Sequence, residues 1–190
     1  MNPRSPEEVF AINEIVGNGA TLFLPNEGAR VRLPLMKRIS ALPAGARLVI
    51  DFSNVRVASE AARNFLVMAL RTIGGDSLGR SLVLDKLGPS RYSVKVMLQN
   101  EKLTAVARRE GKKGADLLGR DEQGAVADTY AFLTAKGSAT AADVRDHFDL
   151  KSTSVATNRL VALADRGLAV RVAQEPLDSG GMQYRYVSVA

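Results

Sequence analysis

Few side chains in this sequence could carry covalent or acid–base chemistry. The 190-residue chain has no cysteine and a single histidine, His147. Disulfides, thiolate metal sites, iron–sulfur clusters and cysteine nucleophiles are excluded, and any histidine base would be that one residue. His147 stands among the aspartates of ATAADVRDHFDL, where a surface histidine is the plainer reading. Asp51 and Glu60 come nearest to a carboxylate pair. The first closes an apolar run and the second opens a helix-like one, so each has a structural explanation. GKKGADLLG at 111–119 lacks the spacing of a phosphate-binding loop. GNGA and SGG are lone glycine turns, and neither HExxH nor GxSxG occurs. The expectation is a protein that is not an enzyme and uses no metal or cofactor.

What remains is charge and hydrogen bonding. Lysine and arginine total 26 against 20 aspartates and glutamates, a net charge of +6. The excess is one-sided: residues 1–117 hold 18 bases and 11 acids, while residues 118–190 hold 8 bases and 9 acids. A basic chain suits a polyanionic partner, and a solubilising surface is the plain alternative. The longest near-continuous apolar stretch, residues 65–70, is far short of the roughly 20 residues that cross a bilayer. The opening MNPRSPEEVF has acids where a secretory signal would have an apolar run. A cytoplasmic protein without a membrane partner is expected.

The elements that must position these groups divide at the glycine-rich stretch 111–124, which interrupts the apolar periodicity. The expected domains are 1–118 and 119–190. In the first, Ser5, Pro6 and Glu8 form a capping-box pattern, predicting a helix over 6–16 that ends at Gly17. Residues 20–24 read as a strand, 26–28 as a turn, 30–33 as an extended piece and 34–41 as a short helix. LVIDF at 48–52 reads as a buried strand. Ser59 is placed to cap a helix over 60–73, with Ala62, Phe65, Leu66, Ala69 and Ile73 on one face and Gly74-Gly75 as its stop. A strand at 81–84, a helix at 90–99 and a strand at 103–108 follow. Strands alternating with helices imply an open α/β sheet.

The second domain reads as a helix over 123–136, ended by Gly137, then a short helix capped by Thr140. A tight turn at 149–151 follows, then a helix capped by Ser152 that runs to Arg166 and is closed by Gly167. Two extended segments, 169–175 and 183–189, flank PLDSGGM. This is the element order of a winged helix-turn-helix, an α+β unit.

Two resemblances carry these readings further. STSVATNRLVALADRGLAVR at 152–171 resembles the recognition helix and first wing strand of winged-helix regulators of the GntR, ArsR and MarR class, with Ala156, Leu160, Leu163, Gly167 and Leu168 as the matching residues. LVIDFSNVRVASEAARNFL at 48–66 resembles the central strand, turn and helix of a STAS domain, with Asp51, Ser53 and Val55 matching. In partner-switching STAS proteins a phosphorylated serine opens that helix. Glu60 occupies the aligned position here, with Ser59 just before it, so these two are the candidate regulatory residues and phosphorylation is in doubt.

The winged-helix resemblance implies a double-stranded DNA partner and a homodimer that reads two half-sites. Thr153, Ser154, Thr157 and Asn158 would face base edges, with Asn158 suited to adenine and threonine methyls to thymine. Ser152, Lys151, Arg171 and Arg185 would complete the interface, the bases meeting phosphate or the minor groove. Each has a plainer reading: Ser152 to Ser154 cap a helix, and Asn158 faces solvent. Arg159 stands where these families usually have a smaller residue. Asp143, Asp146 and Asp149 oppose phosphate binding, so Arg108, Arg109, Lys112 and Lys113 would supply auxiliary charge. The competing expectation is a partner-switching adaptor that binds protein through one or both domains.

Overall fold

The computed structural model describes residues 6–112, 114–176 and 181–189. Short apolar runs build a five-stranded sheet in the order β1-β3-β5-β6-β7. These are β1 (Glu7–Ala11), β3 (Arg47–Asp51), β5 (Ser81–Asp85), β6 (Thr104–Arg108) and β7 (Ala115–Gly119). The first four run parallel and β7 turns back antiparallel beside β6. A small parallel pair, β2 (Thr21–Leu22) with β4 (Arg56–Val57), lies apart from it.

Each parallel step crosses the sheet in the same direction. Right-handed crossovers therefore place the connecting helices on one face. These are α2 (Pro25–Ala41), α3 (Ser59–Ile73) and α4 (Arg91–Asn100). They pack with Leu48, Ile50, Leu82, Leu84, Ala105 and Ala107 in one core. The alternate residues Val49, Val83, Val106 and Leu117 point to the other face, which no crossover helix can cover. They are buried in a second cluster with Tyr130, Leu133, Leu160 and Leu163 of the C-terminal part. The molecule is thus an α/β protein with a mixed sheet covered on both faces.

Four expectations for the first part need correction. Residues 7–11 are a strand, and the helix expected over 6–16 shrinks to α1 (Asn13–Val16), still stopped at Gly17. Ser5 lies outside the described residues. The ladder to β3, with Phe10 turned into the core, outweighs the local capping pattern. Residues 25–41 form one helix that runs through Pro34, in place of a turn, an extended piece and a short helix. Gly28 belongs to that helix for closeness: a Cβ there would lie 2.1 Å from the Ala61 carbonyl oxygen of α3. Ser59 is the first residue of α3, with Ala58 as the cap, and its hydroxyl donates to the Ser93 carbonyl at 2.9 Å. The glycine-rich stretch 111–124, expected to interrupt the regular elements with a boundary near Gly119, contains the last strand of the sheet at residues 115–119.

The C-terminal part contains α5 (Ala125–Lys136), α6 (Ala141–His147), α7 (Thr153–Asp165) and the hairpin of β8 (Ala169–Pro176) and β9 (Met182–Ser188). Thr140 and Asp143 form a reciprocal capping box on α6, and the Ser152 hydroxyl accepts from the Val155 amide at the start of α7. Ala139 adds a bridge to Tyr186, with paired backbone bonds of 2.9 Å. Gly167 (φ 68°) ends α7 in the left-handed region against Ile73 of α3. Asp121 and Arg166 form a further tie at 3.0 Å.

Candidate functional site

The surface of interest is built by α7. Ala156, Leu160 and Leu163 recur at helical spacing and are fully buried, fixing which side faces outward. Ser154, Val155, Thr157 and Asn158 are consequently exposed. Thr153 is half-buried and its hydroxyl accepts from Arg145 at 3.5 Å. The Thr157 hydroxyl donates back to the Thr153 carbonyl at 2.9 Å, leaving its methyl and the Asn158 amide turned to solvent. Ser152 is exposed, but its hydroxyl is spent on the cap at 3.4 Å. Lys151 precedes it in the turn and is exposed.

The hairpin carries the other two expected bases, and Arg171 borders a cleft with Asp165 at the far end of α7 and with Asp76 and Arg80 of the sheet half. Arg171 donates from Nε to the Tyr186 hydroxyl at 3.2 Å and lies over the Tyr184 and Tyr186 rings at 5.0 and 5.8 Å. The tyrosines orient this guanidinium without cancelling its charge. Arg185 differs. It makes a two-pronged pair with Glu175 at 2.5 and 2.8 Å and donates to Ser138 at 3.2 Å. These hydrogen bonds raise the Arg185 pKa and lower that of Glu175. Its charge is already matched on its own sheet.

The aspartates around α6 have partners of their own. Burial alone would raise the Asp143 carboxyl, but Lys136 at 2.7 Å and the Thr140 cap outweigh it and hold it below its ordinary value. Asp146 pairs with Arg145 at 2.6 Å. Asp149 occupies a left-handed turn position, with φ of 48°. Arg159, unexpected from the sequence, lies 5.2 Å from the Phe148 ring centre. Phe148 in turn packs edge-on against His147 at 4.6 Å, and His147 stacks on Phe132 at 4.1 Å. His147 therefore completes an aromatic knot.

The remaining sequence candidates lie on the sheet half. Arg108 sits between Glu7 at 2.6 Å and Asp85 at 3.3 Å, and Arg109 binds Asp116 at 2.6 Å. Lys112 is exposed and Lys113 lies outside the described residues. Asp51 pairs with Lys86 at 2.8 Å and accepts from the Ser53 amide at 2.7 Å. Burial would raise its pKa, and those partners lower it below the ordinary value. Ser59 is half-buried and tied to α4, while exposed Glu60 borders a groove with Arg32, Arg63 and Arg71.

Sequence reasoning passed over two features. Val155, Val172, Met182 and Tyr184 leave apolar surface exposed on α7 and the hairpin. Tyr130, read only as part of a helix face, is buried, and that burial pushes its phenol up to about 12. The signal for the second was a tyrosine and a threonine four residues apart on an alanine-rich helix. Among the described residues no group of three His, Asp or Glu side chains could hold a metal ion. None of the described helices is long and apolar enough to cross a membrane. No known protein family, curated protein or solved structure matches this chain.

Proposed function

We propose that the protein is a DNA-binding transcriptional regulator. In this reading residues 119–190 are a winged helix, and the preceding sheet is a STAS-like domain that regulates or dimerises it. One observation carries the reading: the start of α7 presents Ser154, Thr157 and Asn158 outward from a buried Ala156–Leu160–Leu163 stripe, with Lys151 in the turn before it, and neither Lys151 nor Arg171 of the hairpin forms an ion pair among the described residues. A helix held this way fits the major groove, with its first turns at the base edges. Asn158 would bond adenine, the Thr157 methyl would touch thymine, and Lys151 and Arg171 would meet phosphates. Two copies on two half-sites would add affinity that one short interface lacks. The protein acts in the cytoplasm, without catalysis.

A second reading is a protein-binding adaptor. The exposed Val155, Val172, Met182 and Tyr184 favour it, because apolar surface at this density suits a protein partner. Titration against sheared genomic DNA over a salt series separates the two. The regulator binds with affinity that falls steeply with salt. An adaptor shows no saturable, salt-dependent binding.

A further inference from the structure

β1 is an end strand of the five-stranded sheet and pairs with β3 alone. At the other end, four of the five residues of β7 are buried, whereas only Phe10 of β1 is. The direction of the free backbone groups follows from the ladder. The Arg47 amide donates to the Pro6 carbonyl at 2.8 Å, and the Ile12 amide donates to the Asp51 carbonyl at 3.1 Å. Alternation along the strand then gives the backbone groups of Glu8 and Phe10 to β3 and turns the amides and carbonyls of Glu7, Val9 and Ala11 to the open edge. No turn or loop backbone bond among the described residues uses them. A row of apolar side chains ends at the same place. Val9, Val49, Val83 and Val106 stand side by side in register across the sheet. The last three are each 1% exposed, packed with the C-terminal part, and Val9 is 52% exposed.

An open edge is a template for another strand, and proteins commonly guard one with outward charges. Here the two acids of β1 are spent within the chain: Glu7 pairs with Arg108 at 2.6 Å and Glu8 with Arg38 at 3.3 Å. We propose that this edge is a dimer interface, on which β1 of a second copy of the chain lies antiparallel with Val9 opposite its own counterpart. One register fits the edge best. With Val9 at the centre, Glu7 of each copy faces Ala11 of the other, so every outward amide and carbonyl of both strands finds a partner. Glu8 faces Phe10, and no acid stands opposite an acid. Centring the pair on Glu7 or Glu8 would set like charges face to face, and centring it on Phe10 would leave Glu7 opposite α1 without a strand partner. The valine row then continues from one copy into the next, and the contact, being isologous, closes at two copies. A two-fold through Val9, perpendicular to the sheet, keeps both C-terminal parts on the same face. The pairing stands without the regulator reading above, whereas its use in setting two α7 helices on one duplex rests on it.

Sedimentation equilibrium of the intact chain between about 5 and 500 μM tests the interface, since a single short strand associates weakly. The parent should pass from monomer to dimer across that range and go no further. Val9→Pro should abolish association. The Val9 amide takes no part in the ladder to β3, and proline is tolerated on an edge strand where the N–H faces outward, so this variant should keep the parent's circular dichroism. Val9→Lys and Val9→Glu should each weaken the dimer about tenfold or more by setting like charges on the two-fold, and an equimolar mixture of the two should restore it. The mixture decides the matter even if the proline variant fails to fold. A parent that stays monomeric at about 500 μM, association beyond two copies, a folded Val9→Pro that dimerises like the parent, or a mixture no tighter than either variant alone would overturn the proposal. The DNA titration run beside it tells the two readings apart. Salt-dependent DNA binding by a chain that stays monomeric removes the interface and leaves the regulator; a dimer that binds no DNA does the reverse.

Discussion

Arg108 and Lys151 are both bases on the surface of the same chain, and their surroundings are opposite. Arg108 is gripped by Glu7 and Asp85, whereas Lys151 stands exposed in a turn without an acid partner among the described residues. The pattern is general to the two halves. The sheet half carries the net positive charge, yet Arg80, Lys86, Arg91 and Arg109 are each held by a carboxylate. Its uncommitted bases, such as Arg30 and Lys37, lie on the outer side of α2. The C-terminal half has no excess of bases but leaves Lys151 and Arg171 without an acid partner among the described residues. On the regulator reading, bulk charge points to the sheet half, whereas the bases without ion pairs point to the C-terminal half.

The halves also differ in how they complete their cores, and separating them is the severest way to break the comparison. A fragment of residues 1–119 would expose Val49, Val83, Val106 and Leu117 on a bare sheet face. It should aggregate or bind a hydrophobic dye strongly, as followed by light scattering and dye fluorescence, while the intact chain does neither.

Point changes come next. Gly28→Ala drives a Cβ into the Ala61 carbonyl of α3, a backbone atom that cannot turn aside. Leu160→Ala empties a fully buried site under α7. Each should cost about 2–5 kcal/mol in denaturant unfolding. If the two halves share one cooperative core, either change lowers a single transition; two separate transitions would split the halves.

A smaller effect concerns Asp76, whose carboxyl is held below its ordinary value by hydrogen bonds from Arg80, both side chains being nearly buried. A carboxyl lowered on folding adds stability above its unfolded pKa of about 4 and loses it as pH falls through the folded value. Asp76→Asn should therefore cost about 1–3 kcal/mol at pH 7, and the gap from the parent should close as pH falls below about 4. A gap constant with pH would show that the charge contributes nothing. Smallest of all, Arg185→Ala should change DNA affinity less than Arg171→Ala, because Glu175 already neutralises Arg185.

Much of the fold was legible wherever one period dominated. Ala62, Phe65, Leu66 and Ala69 mark a helix face, and the strand at β3 follows from an unbroken apolar run. The outward residues of α7 followed from the positions of Leu160 and Leu163. Failures came where a local signal competed with a distant partner. Ser5-Pro6-Glu8 resembles a helix start, but β3 draws residues 7–11 into a ladder. Asn26 to Gly28 resembles a turn, but the close crossing with α3 requires glycine inside a helix. The continuous runs LVI, LVL and AVA did carry a hint that both sheet faces are buried, since strands covered on one side alternate. The spacing of Tyr130 and Thr134 was legible, but the burial of Tyr130 follows only from the packing of α5 against the sheet.

The most direct measurement is the slope of DNA affinity against salt for the intact protein and two double variants. The parent should lose affinity linearly on logarithmic axes. Lys151→Ala with Arg171→Ala should flatten the slope by about 2 and weaken all sequences alike. Arg109→Ala with Lys112→Ala should leave it unchanged. A flat parent slope, or a larger loss in the second variant than in the first, would contradict the assignment of the interface to the start of α7.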